Sequence, residues 1–188
     1  MKPNNRFAWL VFLALAPFAC SANELLWKRI QTEPNIVILT RHMQSTGGKP
    51  LVWDETGDCK GEARLTKLGQ DEARKLGQLF AARSIKPFVI SSPMCRCRDT
   101  ATIAFGHALL DSDLREIASA DPARAAEFDR KVAILLIRHR GRVPIVFVSH
   151  RPNIEVLTME LVDEGELVVG KISDSGEIEM LGKMRLGE

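Results

Sequence analysis

The chain has 188 residues, enough for one compact domain with a sizeable core. Hydrophobic residues make up 45% and charged residues 27%, which excludes a disordered or fibrous chain. The formal net charge is +2 with no block of like charge, so nothing in the electrostatics calls for nucleic acid.

The first 22 residues differ from the rest. "MKPNNR" carries Lys2 and Arg6 and no acid, "FAWLVFLALAPFA" follows without a charge, and small residues come next in "CSAN". A basic start, an apolar centre and a small-residue region form the layout of a secretory signal peptide. The apolar run has 13 residues, short of the roughly 20 that a membrane span needs. The expectation is a signal peptide over 1–22 and one domain over 23–188, periplasmic or secreted, with no stable membrane span after cleavage. An uncleaved interfacial anchor is the alternative. Cys20 raises a lipoprotein reading, against which stand Pro17 and Phe18, where such signals carry Leu and a small residue. Loss of Lys2 and Arg6 leaves 24 basic against 24 acidic residues.

Export changes how the remaining cysteines read. In an oxidising compartment two of Cys59, Cys95 and Cys97 are expected to pair. Cys95 and Cys97 are too close for an easy mutual bridge, so Cys59 with either of them is favoured. A zinc site is the rival, but no His stands at a helpful spacing from the C-x-C.

"NIVILT" (35–40) reads as a fully buried strand, rich in β-branched residues. Residues 43–64 are polar and contain Gly, a loop of the length that is usually functional. A helical stripe follows at Leu65, Leu68, Ala73, Leu76, Leu79 and Phe80, with Thr66 as its N-cap. "PFVISSP" (87–93) is a second strand, ending in Ser91 and Ser92. A helix is predicted over 94–110, with Pro93 near its first turn, and "DSDLREI" (111–117) is a connector. Asp121 and Pro122 start a further helix that Gly141 stops. "PIVFVSH" (144–150) is a third strand, and "RPNIEVLTMELV" (151–162) a helix. The segment 165–186 alternates around "SDSG" and predicts a final hairpin. Strands alternating with helices imply an α/β fold, a three-layer sandwich with a mostly parallel central sheet flanked by helices and a C-terminal hairpin. Ligands of such sheets sit beyond the carboxyl ends of the strands. Three strands here end in polar clusters: Arg41 with His42, Ser91 with Ser92, and His150.

Two arginines and two histidines make a site for a dianion. Guanidinium forks match phosphate oxygens in two-point contacts, and their charge is permanent. A His among them stays neutral, because neighbouring cations disfavour imidazolium. A neutral imidazole has a free ring nitrogen for attack on phosphorus. A second His can donate to the transferring phosphoryl oxygens, and a carboxyl group is needed to protonate the leaving oxygen.

The pattern resembles the histidine phosphatase superfamily, also called phosphoglycerate-mutase-like. Its motifs stand here in order as "RHMQS", "LTKLGQDEARKL", "SSPMCRCRDTA", "LREI" and "VFVSH". The resemblance implies Arg41 and Arg96 as phosphate ligands, His42 as nucleophile, Ser45 as a further ligand, Glu116 as proton donor and His150 as the second site histidine. Asp54, Glu55 and Asp99 are the alternative acids. The implied activity is a phosphomonoesterase. A phosphomutase, or an inert phosphate-binding relative, is the other reading. The implied substrate is a small phosphorylated molecule or a lipopolysaccharide phosphate, because an exported member with a cysteine in this loop is similar to the heptose phosphate phosphatases of the lipopolysaccharide core. No cofactor and no metal is implied. Two glycines of the family pattern are replaced, by Met43 and Arg151. Each directly follows a site histidine, so both side chains are expected at the pocket rim, with Arg151 as an anion ligand.

A cysteine phosphatase does not fit, since Arg64 follows Cys59 one residue short of the phosphate-loop spacing. "RHRGR" (138–142) reads as cations favoured at a helix C-terminus.

Overall fold

Helix α1 (Ala22–Thr32) opens this computed structural model, which describes residues 22–47, 49, 51–117 and 121–186. The expected signal peptide, all but Ala22, lies outside the described residues. No element is predicted from the sequence over 23–34, although Leu26, Trp27 and Ile30 fall at helical spacing. Helix α1 is held by tertiary burial of Leu26, Trp27 and Ile30, with the Trp27 ring edge-on to Phe80 at 5.2 Å.

Strand β1 (Ile36–Arg41) follows, then a short hairpin pair, β2 (Ser45–Thr46) and β3 (Arg64–Leu65), which closes the long loop at its base. Helix α2 (Lys67–Ala82) starts as its cap predicts, the Thr66 hydroxyl accepting from the Gly69 N–H. Next come β4 (Phe88–Ser91), α3 (Cys95–Phe105), β5 (Leu109–Leu110) and a 3-10 turn (Ser112–Leu114). Helix α4 (Pro122–His139) has Asp121 as N-cap, its carboxylate accepting from the N–H groups of Ala123 and Arg124. Then follow β6 (Ile145–Ser149), α5 (Arg151–Thr158) and the hairpin β7 (Glu166–Ile172) and β8 (Ile178–Arg185).

Three helices end earlier than the sequence predicts. Helix α3 ends at Phe105 because Gly106 turns left-handed at φ 81° and caps Thr102. Leu109 and Leu110, predicted helical, pair with β4 instead. Helix α5 ends at Thr158, where Met159 adopts φ 56°. Helix α4 stops at Arg140, whose backbone is extended, one residue before the predicted Gly141.

The main sheet has the order β5-β4-β6-β1-β7-β8. β5, β4, β6 and β1 run parallel, and β7 and β8 close the other side antiparallel. Its two faces sort residues by parity, as strand geometry requires. Ile36, Ile38, Val146, Val148, Leu167 and Val169 pack towards α1, α2 and α3. Val37, Leu39, Ile145, Phe147 and Val168 pack towards α4 and α5. Gly77 lets α2 lie close on α3, since a Cβ there would stand 2.1 Å from the Ala104 carbonyl oxygen.

The parallel register brings the polar strand ends together. Arg41 lies beside Ser149, and Ser91 beside Val148, so β1, β4 and β6 end at one edge.

Candidate active site

A cavity of about 210 Å³ sits at that edge, lined by Arg41, His42, Ser45, Gly47, Ala63, Arg96 and Glu116. β1 delivers the first two side chains, the first turn of α3 delivers Arg96, and the connector after the 3-10 turn delivers Glu116.

His42 is 5% exposed, and its backbone N–H donates to the Ser149 carbonyl at 3.0 Å. Its Nδ1 lies 3.0 Å from the Met43 carbonyl oxygen. A carbonyl can only accept, so Nδ1 carries the proton and Nε2 keeps its lone pair. Burial, with Arg96 and Arg41 adding repulsion, lowers the imidazole pKa to about 3. The ring is therefore a neutral base with one free nitrogen.

Arg96 is 2% exposed. It pairs with the Glu116 carboxylate, and its Nη2 lies 3.1 Å from His150 Nδ1. A guanidinium only donates, so His150 Nδ1 is the acceptor and Nε2 carries the proton. That proton faces Ser92 Oγ at 2.9 Å. Burial, then the charge of Arg96, holds His150 well below the usual imidazole range. Arg41 lies 3.4 Å from Glu164 through Nη2, while its Nε is buried with no hydrogen-bond partner among the described residues. A buried donor left unmade costs about 1–3 kcal/mol.

Glu116 has its carboxyl pKa raised, because burial outweighs the opposing pull of Arg96 and Arg41. It can hold a proton above the ordinary carboxylate range. Asn153, fully buried in α5, fixes the connector that carries it. Its amide nitrogen donates to the carbonyls of Leu114 and Arg115 at 3.2 and 3.0 Å, and its oxygen accepts from the Ile117 N–H at 3.1 Å.

Several links tie the long loop to α3, among them Arg98 Nη1 donating to the Gly57 carbonyl at 3.0 Å. Cys59 is bonded to Cys95. Glu62, 4% exposed, accepts from the Cys95 N–H at 2.7 Å and from the Asp54 N–H at 2.8 Å. Met94 offers no side-chain cap to α3, so Glu62 supplies the anion that the helix start favours. Cys97 is buried and free, turned away from Cys95 as residues two apart on a helix are. Burial pushes its thiol pKa up, so it is not a nucleophile.

Of the residues expected from sequence, Arg41, His42, Ser45, Arg96 and Glu116 meet around one cavity. His150 is fully buried and is not among the cavity's lining residues; its ring lies 5.7 Å from the His42 ring and meets Arg96 Nη2 through Nδ1. Arg151 is exposed on α5 and does not reach the cavity either. Met43 is a correction to the rim expectation. Its side chain is fully buried in the core with Ala73, Leu76 and Cys97, and only its backbone serves the site. The peptide N–H of Met43 donates to Thr100 Oγ at 3.1 Å. The alternative acids lie elsewhere. Asp54 is engaged by the Lys60 and Thr56 N–H groups, Asp99 lies 3.5 Å from Arg64, and Glu55 is exposed.

Sequence reasoning missed Asn153, Glu62 and Thr100. A polar residue at an inward position of an amphipathic helix was the available signal for the first and third. Glu62 carries none, since a loop carboxylate reads as solvated. Among the described residues no group of three His, Cys, Asp or Glu gathers to hold a metal ion.

Residues 37–123 match the family model of the histidine phosphatase superfamily, branch 1. No curated protein sequence matches the chain. Solved structures share the fold. The protein histidine phosphatase SixA, in complex with tungstate, is 16% identical with a TM-score of 0.57, over 80% of this chain and 97% of that one. A phosphoserine phosphatase from Entamoeba histolytica, bound to 3-phosphoglyceric acid, is 17% identical with a TM-score of 0.57, over 79% and 95%. A phosphoglycerate mutase from Thermus thermophilus is 21% identical with a TM-score of 0.58, over 79% and 98%.

Proposed function

We propose, for a chain of the histidine phosphatase superfamily by its fold and by its match over residues 37–123, that it is an exported phosphomonoesterase working through a phosphohistidine on a phosphorylated sugar. The observation that carries this reading is the neutral, Nδ1-protonated His42 at a cavity lined by the buried Arg96, the half-buried Arg41 and one protonatable carboxyl. Arg41 and Arg96 bind the phosphoryl oxygens, and Ser45 adds a hydroxyl at the mouth. His42 Nε2 attacks phosphorus as the ester P–O bond breaks. The proton of Glu116 goes to the departing oxygen. The ring then carries positive charge, which strengthens its Nδ1–H bond to the Met43 carbonyl. Water next attacks the phosphohistidine and gives its proton to the Glu116 carboxylate. Phosphate leaves, and both residues are back in their starting states. His150 serves by fixing the Arg96 fork through the direct contact at 3.1 Å.

The export half of the reading rests on the signal-peptide layout of residues 1–22, and the Cys59–Cys95 bond suits an oxidising compartment. The phosphate on a heptose of the lipopolysaccharide core is the substrate to test first.

The mechanism is tested by acid-free quenching during turnover of a labelled phosphoester. Label that is acid-labile, base-stable and located on His42 is expected, with free phosphate released. His42→Ala lowers turnover by on the order of 10³ or more, as loss of a covalent nucleophile does. Label on a Cys or Ser would sink the mechanism, and an isomerised substrate without released phosphate would make the chain a mutase.

A further inference from the structure

Beside the phosphate cavity lies a second one of about 300 Å³, and both are lined by Glu116. Its lining includes Trp53 and Leu51 of the long loop and Arg115 and Ile117 of the connector. Leu51 is 59% exposed, an apolar side chain left facing water at the rim. The Arg115 guanidinium lies over the Trp53 ring, 4.4 Å from its centre, and its Nε donates to the Ser112 carbonyl at 2.9 Å. The other charges of this cavity are matched. Asp113 pairs with Lys131 at 2.9 Å, Arg124 with Asp121 at 3.3 Å, and Glu116 with Arg96. Arg115 forms no ion pair among the described residues, so it is the cation with charge to spare.

We infer that this second cavity binds the alcohol part of the substrate, a ring-sized body that carries a second anionic group held by Arg115. The inference rests on the phosphatase reading in one respect. Glu116 protonates the leaving oxygen, so the ester oxygen sits where the cavities meet and whatever it carries extends past Glu116. The indole, Leu51 and Ile117 offer an apolar wall to a ring face. Arg115, already aligned by the indole and by Ser112, offers a planar fork to a phosphate or carboxylate.

Loop and connector are both held before ligand arrives. Asp54, next to Trp53, donates its N–H to Glu62 at 2.8 Å, and Glu62 and Cys59 join the loop to the start of α3. Asn153 fixes the carbonyl of Arg115 itself at 3.0 Å. Preorganised walls give up little entropy on binding. Selectivity for a doubly charged substrate thus falls to Trp53 and Arg115, where the sequence pointed to Met43 and Arg151.

The test is equilibrium binding by calorimetry to the full chain carrying His42→Ala, so that ligands persist. Glucose 6-phosphate and fructose 6-phosphate are compared with glucose 1,6-bisphosphate and fructose 1,6-bisphosphate. At least one bisphosphate is expected to bind about tenfold or more tightly than its monophosphate, a gain of roughly 1.4 kcal/mol. Adding Arg115→Ala brings the two affinities within about threefold, and Arg115→Lys, which keeps the charge, restores part of the gap. Equal affinities in the parent, or a preference that survives Arg115→Ala, would overturn the inference. Phosphate release by the wild-type chain is measured alongside. Release without the binding preference defeats the second cavity alone, whereas the preference without release defeats the phosphatase reading and leaves the cavity standing.

Discussion

Replacing Met43 by Ala separates a core residue from a pocket residue. The side chain is fully buried among Ala73, Leu76 and Cys97, beneath α2 and α3. Truncation removes its apolar contacts and leaves a void, a combination that costs about 2–5 kcal/mol for a buried Met. Whole-domain stabilities are about 5–15 kcal/mol, so the variant loses a large fraction of its margin and still folds in the cold. For a chain of this size each kcal/mol moves Tm by about 2–4 °C. A loss of about 3 kcal/mol therefore lowers Tm by about 6–12 °C. Met43→Leu keeps most of the volume and costs less than about 1.5 kcal/mol. Urea unfolding gives the energy, and turnover of an aryl phosphate well below the lowered Tm gives the activity per folded molecule. That activity is expected to stay within about threefold of wild type with an unchanged ranking of substrates. The reasoning fails if stability moves by less than about 1 kcal/mol, or if Met43→Ala broadens the substrate range. Either result would put the side chain in the pocket.

Two further predictions concern the acid and the loop. Burial raises the Glu116 pKa, so the carboxyl keeps its proton above the ordinary range and kcat/KM falls as pH rises through that raised value. His42, with its pKa near 3, imposes no loss on the acid side until about that pH. Glu116→Gln should abolish the alkaline limb and slow alkyl phosphates far more than aryl phosphates; equal loss on both would remove Glu116 from the acid role. The same raised pKa makes the Glu116 contribution to stability complete below its unfolded pKa and lost as pH rises through the folded one. Cys59 and Cys95 stand 36 residues apart, and the chain-entropy model gives about 4 kcal/mol for closing a loop of that length. Cys59→Ser with Cys95→Ser should lower the unfolding free energy by about that amount without reductant, and a change below about 1 kcal/mol would mean that the polar links of Glu62 and Arg98 hold the loop.

Much of this protein was legible in one dimension because the responsible forces are local. Strands β1, β4 and β6 announce themselves as short apolar runs, since a strand buried on both faces has no polar side to show. The starts of α2 and α4 are written by Thr66 and by Asp121 with Pro122, whose side chains satisfy helix N–H groups within three residues. Arg41, His42 and Arg96 stood out because charge at the end of a buried strand or in a helix's first turn is costly unless it is used. The partner of Cys59 was narrowed to Cys95 or Cys97. The choice between them waited for the rotation of α3, which turns Cys95 to the loop and Cys97 into the core.

Other features had no local signature. Glu62 reads as a solvated loop acid until the fold lays it against the bare N-terminus of α3. Trp53 and Arg115 are 62 positions apart in the numbering and become neighbours only when the loop and the connector flank one cavity. Met43 and Arg151 each follow a site histidine, and adjacency suggested that they share its pocket. The chain leaves β1 at Arg41, and beyond it Met43 is buried in the core while His42 lines the cavity; Arg151 faces solvent at the head of α5. Sequence order determined which residues arrive at the sheet edge; the direction each side chain takes from there was decided by the packing of α2, α3 and the loop, because burial free energy is a property of the assembled neighbourhood and not of the residue.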